Sequence, residues 1–154
     1  MRKMVLVVLL ILLLAFIWGN SCLPVRFSAR ESGTILNLIR PFLERFVGEG
    51  NVTDHLVRKL AHFAEFTALG LVIGLLVQSG RRFRLQPVVF SLVMGLLAAF
   101  ADESIQMFSD RGDQIIDVWL DFSGVTLGVA LACLLLALRR QRRRKKMSGE
   151  TSTV

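Results

Sequence analysis

Four apolar stretches divide the chain, and polar positions gather in short clusters at their ends. Residues Met4 to Trp18 form an unbroken apolar run behind Arg2 and Lys3, and further stretches run from Leu60 to about Val77, from Pro87 to about Phe108 and from Ile115 to Leu138. Each approaches the ~20 residues a helix needs to cross a bilayer. The pattern predicts an all-α, polytopic membrane bundle of four transmembrane helices. The first run also has the charged and apolar regions of a secretory signal. Gly19, Asn20, Ser21 and Cys22, however, give no small-x-small cleavage site, and no apolar residue is placed as a lipoprotein signal would want, so an uncleaved span is expected.

A second periodicity lies in the long loop from Gly19 to Lys59. Ile35, Leu36, Leu38, Ile39, Phe42, Leu43, Phe46 and Val47 recur at helical spacing, with Arg40, Glu44 and Arg45 between them. This reads as an external amphipathic helix in the first loop, lying either in the membrane interface or against the end of the bundle.

Composition excludes a soluble domain: 53% of the residues are hydrophobic and the mean hydropathy is +0.57, beyond ordinary globular usage. The net charge of +7 changes the picture only through its position. Arg139, Arg140, Arg142, Arg143, Arg144, Lys145 and Lys146 account for all of it, and elsewhere basic and acidic residues balance. A basic run directly behind an apolar helix reads as a cytoplasmic stop in contact with anionic lipids, not as a nucleic-acid arm. The chain is therefore expected to comprise a membrane domain, 1–138, and a basic tail, 139–154, without fixed structure.

Four spans place both termini on one side. Arg2 and Lys3, the loop of Arg81, Arg82 and Arg84, and the basic tail all fall on that side, which the positive-inside rule makes the cytoplasm. The expected location is the cell membrane, multi-pass, with membrane lipids as neighbours. Cys22 and Cys133 should sit at different depths, so no disulfide is expected between them.

The spans also carry ionisable groups: Lys59, His62 and Glu65 in the second, Asp102, Glu103 and Gln106 in the third, and Asp117 and Asp121 in the fourth. Arg111 and Asp113 stand in the short loop before the fourth. A charged side chain at the bilayer centre costs about 2.5–3.5 kcal/mol even on the lenient insertion scale, so such a cluster needs a reason. Under the topology above, all three groups lie within the first or last two turns of their spans at the external end, within roughly 10 Å of the interface. Positions three or four apart share a helix face, which aligns Lys59 and His62 with Glu65 or Phe66, Gly95, Ala99, Asp102 and Gln106 with one another, and Asp113, Asp117, Asp121, Gly124 and Gly128 with one another. Each stripe continues into small residues, as do Gly70 and Gly74, which marks close helix packing in lipid and turns the polar ends inward.

Two readings follow. In one, the cluster is a buried, externally accessible site; in the other, Lys59 or Arg111 pairs with Asp102, Asp117 or Asp121 and holds the helices together. The acids outnumber the nearby cations, which favours a site that takes a proton, a metal or a cationic ligand. His62 and Glu65, three apart, have the spacing to share a divalent ion with Asp102 or Asp117, but no cysteine or second histidine joins them, so no metal and no cofactor is expected. His55 reads as an ordinary loop residue, and Ser104 and Ser123 as helix-packing hydroxyls.

At these residues the sequence resembles the VanZ-like family of small bacterial membrane proteins. The matching stretches are Trp18, Asn20, Ser21 and Pro24; Lys59-Leu-Ala-His62-Phe63-Ala-Glu65-Phe66 with Leu69-Gly70; Asp102-Glu103-Ser-Ile-Gln106; Arg111-Gly-Asp113; and Asp117-Val-Trp-Leu-Asp121-Phe-Ser-Gly124. At position 121 the family pattern takes Asn about as readily as Asp. The resemblance implies an outward-facing role in cell-envelope processes, since the founding member is associated with resistance to teicoplanin, a lipid-tailed glycopeptide antibiotic that acts on the outer face of the membrane. Three functions remain open: a factor binding an amphiphilic antibiotic or lipid-linked envelope precursor; an intramembrane enzyme acting on such an intermediate, with His62 or Glu65 as general base and Lys59 and Arg111 holding a phosphate; and a proton-coupled carrier, which with four spans requires a homo-oligomer, a dimer.

Overall fold

The computed structural model describes residues 2–22, 44–45, 48, 53–78, 84–108 and 115–150. Among them four helices form: α1 (Arg2–Ser21), α2 (Asp54–Val77), α3 (Leu85–Phe108) and α4 (Ile115–Glu150). Each contains a stretch long and apolar enough to cross a membrane, and no strand occurs among the described residues. The expected all-α bundle of four spanning helices is the observed architecture. Of the expected amphipathic loop helix only Glu44, Arg45 and Gly48 are described; the rest of that stretch lies outside the described residues.

Two helices depart from the apolar stretches that announce them. Helix α2 starts six residues before Leu60, because Thr53 caps it: its hydroxyl accepts the Leu56 amide at 3.2 Å, and the polar first turns of Asp54, His55, Arg58 and Lys59 carry no apolar signal. His62 consequently sits about 12 Å along α2, in its third turn and not within the first two as expected. Helix α4 continues past Leu138 through the basic run to Glu150, so the backbone of 139–150 is helical where composition alone suggests a tail without fixed structure. Arg, Lys and Gln are good helix formers and extend a helix that the span has already nucleated.

The tightest seam joins α2 to α4, and it is built from glycines. A Cβ on Gly128 would strike the Thr67 carbonyl, and one on Gly124 would lie 2.6 Å from the Phe63 carbonyl oxygen. Helix backbones thus come into direct contact, as in lipid-embedded pairs that associate through packing without a hydrophobic driving force. Below the polar end, Phe66, Leu69, Ile73, Ala99, Val125 and Val129 close a dry core, and Ile17 brings α1 onto it. Most other large apolar side chains face outward, among them Leu97, Phe100 and Leu134, which suits a lipid surround. The free cysteines lie apart: Cys22 is exposed after α1, and Cys133 meets Gln78 near the opposite end of the bundle.

Candidate functional site

Contacts between helices bring the polar groups together at the end of the bundle where α1 and α3 finish and α2 and α4 begin. Asp102 is the centre and is fully buried. The α-helical spacing of Asp102 and Gln106 lets the Gln106 amide donate to Asp102 Oδ2 at 2.7 Å, while Ser21, from the last turn of α1, donates to Asp102 Oδ1 at 2.7 Å. His62 Nδ1, from α2, lies 3.9 Å from Asp102 Oδ2 and 3.6 Å from Glu65 Oε2. Asp121, one face of α4, is 2% exposed and approaches the same point: one potential ligand atom each from His62, Asp102 and Asp121 lie within 4.8 Å of one another. Glu103 is buried beside them, and the charges of Asp102, Glu103, Asp117 and Glu65 all act on Asp121.

Lys59 follows the scaffolding alternative. Its Nζ pairs with Asp117 Oδ1 at 2.5 Å, both side chains about a quarter exposed, which ties the first turns of α2 and α4 together. Asp117 is thereby taken up by a cation, whereas Asp121, one turn deeper, lies near the carboxylates of Asp102, Glu103, Asp117 and Glu65. The stripe of α4 thus divides into a structural acid and a buried acid directed at the site.

Of the sequence-derived candidates, Lys59, His62, Glu65, Asp102, Glu103, Gln106, Asp117 and Asp121 all occupy this end of the bundle, and Arg111 and Asp113 lie outside the described residues. Ser104 and Ser123 return their hydroxyls to the carbonyls of Phe100 and Leu120 on their own helices, in keeping with a packing role. Two members were not among the candidates. Ser21 holds Asp102, and Asn20 hydrogen-bonds the Glu65 carboxylate. Polar residues closing an otherwise unbroken apolar span were the available signal, since a helix that ends on Asn-Ser at membrane depth presents them to whatever it packs against.

Beside the polar cluster an apolar cavity of about 280 Å³ opens between α1, α2 and α3, lined among others by Leu14, Trp18, Ile73, Met94, Leu97 and Ala101. Its end nearer the cluster is at Trp18, one turn before Ser21, and Ala101, which precedes Asp102; Val77 and Phe90 line it toward the opposite end of the bundle. The Trp18 indole Nε1 is buried without a hydrogen-bond partner among the described residues.

Comparison with curated proteins finds no match, and comparison with solved structures finds none. The family model VanZ/LLP1 matches residues 4–136, a span that reaches into all four helices and covers every described member of the polar cluster. The chain therefore belongs to the VanZ/LLP1 family, as the motifs around His62, Asp102 and Asp121 imply.

Proposed function

We propose that the polar end of the bundle faces the outside of the cell membrane and receives an amphiphile, either an envelope lipid or a lipid-tailed glycopeptide of the teicoplanin kind. The observation that carries this reading is a buried polar cluster with an apolar cavity whose nearer end, at Trp18 and Ala101, is formed by residues within one turn of Ser21 and Asp102. A head group meets His62, Asp102 and Glu65, and a tail enters between Leu14, Met94 and Leu97. A cavity of 280 Å³ is near the lower bound of small-molecule pockets, roughly 300 Å³, and suits a chain segment better than a whole ligand. Orientation rests on Arg2, Lys3, Arg84 and the basic run of α4, all at the opposite end, and on Arg81 and Arg82 as sequence neighbours of Arg84.

The alternatives are less well supported. A phosphate-handling enzyme needs Lys59 available, and Lys59 is paired with Asp117. A proton carrier needs polar groups across the membrane, whereas Phe66, Leu69, Ala99 and Val125 form an apolar layer below the cluster.

The test is binding in nanodiscs. Wild-type protein is expected to bind teicoplanin or envelope lipids saturably, and a variant carrying both His62→Ala and Asp102→Ala to lose that binding. Equal binding by both proteins would refute the reading.

A further inference from the structure

We propose that His62, Asp102 and Asp121 form a site for one divalent transition-metal cation, with Glu65 as an adjacent fourth oxygen donor. This goes beyond the amphiphile-binding reading and stands whether or not an amphiphile binds.

The donors come from three helices, and one potential ligand atom of each lies within 4.8 Å of the others. Metal–nitrogen and metal–oxygen bonds of about 2.0–2.2 Å in a tetrahedral site put ligand atoms about 3.4 Å apart, so closure onto an ion draws the donors together by about 1.4 Å at most, within the reach of side-chain torsions. Two further observations point to a ligand. Asp121 is 2% exposed, and the carboxylates of Asp102, Glu103, Asp117 and Glu65 lie near enough to act on its charge. Glu65 Oε2 is a buried oxygen with no hydrogen-bond partner among the described residues, 3.6 Å from His62 Nδ1. Carboxylates gathered at such depth repel one another and lose hydration, and a divalent ion held by Asp102, Asp121 and a neutral imidazole cancels the charge of those two carboxylates.

The surroundings fit. Ser21 and Gln106 each hold one oxygen of Asp102 at 2.7 Å, the kind of outer contact that orients a ligating carboxylate. Asp117 is occupied by Lys59, which separates it from the ligand set although it is on the same face of α4 as Asp121. The His62 side chain is 14% exposed, which leaves a path for the ion. One imidazole with oxygen donors suits Zn²⁺ or Mn²⁺ better than Mg²⁺ or Ca²⁺, which take oxygen alone.

The experiment uses the full chain without a polyhistidine tag, stripped with a chelator in detergent and titrated with Zn²⁺ by calorimetry. One ion per chain is expected. H62Q and D121N should each weaken binding at least tenfold, and Asp117→Asn should leave it within threefold, with helicity and elution volume checked for every variant. If H62Q or D121N does not fold, pulsed EPR of the Mn²⁺-loaded His55→Ala protein decides, because His62 is then the only imidazole: nitrogen coupling supports the site and its absence overturns it. No saturable binding by the wild type, or undiminished binding by folded H62Q and D121N, also overturns it.

Discussion

The middle of the bundle and its polar end solve the same problem of joining helices in lipid by opposite means. In the middle, Gly70, Gly74, Gly124 and Gly128 let α2 and α4 meet backbone to backbone, and nothing there can change state. At the end, the helices meet through Ser21–Asp102, Gln106–Asp102 and Lys59–Asp117, groups that can exchange partners for a ligand. The difference separates what holds the fold from what acts. Glycine contacts already join α2 to α4, so the buried acids beyond the Lys59–Asp117 pair are expected to be dispensable for assembly.

Substitutions distinguish the two regions. The largest effect is expected from Gly128→Val, whose side chain would be driven into the Thr67 carbonyl and the Leu71 backbone. Overpacking of this kind costs about 1–3 kcal/mol where neighbours can yield, and more where the obstacle is main chain, so little folded protein should reach the membrane, as read by immunoblot and elution profile. Normal abundance of this variant would dissolve the comparison. Lys59→Met should cost less, between the ~1 kcal/mol of an exposed ion pair and the ~3–5 kcal/mol of a fully buried one, because both partners are about a quarter exposed. A lowered thermal midpoint in detergent, partly restored by a compensating Asp117→Leu, checks it. Ser21→Ala is expected to be the mildest for stability, about 0.6–2 kcal/mol for one hydrogen bond to Asp102, while weakening ligand or metal binding by more than that loss would suggest. An equal effect on both would make Ser21 a packing residue.

How much of this was legible in the sequence follows from the same division. Apolar runs and the small-residue stripes of Gly124 and Gly128 mark the spans and their inward faces, because lipid leaves few other ways to satisfy a helix. The true start of α2 is hidden by its polar first turns, since Thr53, Asp54 and Arg58 read as loop until the Thr53 hydroxyl is seen to cap the Leu56 amide. Spacing placed Asp117 and Asp121 on one face but gave no means to tell which would be neutralised; only the relative shift of α2 against α4, set by glycine contacts, brings Lys59 to Asp117 and His62 to Asp121. The contribution of Asn20 and Ser21 depends on how α1 docks, a long-range contact with no local periodicity.

The central claim is that the polar end is a working site and not a brace. The most direct measurement is growth inhibition by teicoplanin and vancomycin in a deletion strain carrying wild-type protein or single Ala substitutions at His62, Glu65, Asp102, Gln106 and Asp121, with membrane abundance measured alongside. The expected result is loss of the wild-type phenotype at normal abundance for His62→Ala and Asp102→Ala. Loss of phenotype only where the protein itself is lost would contradict the claim and make these charges part of the scaffold.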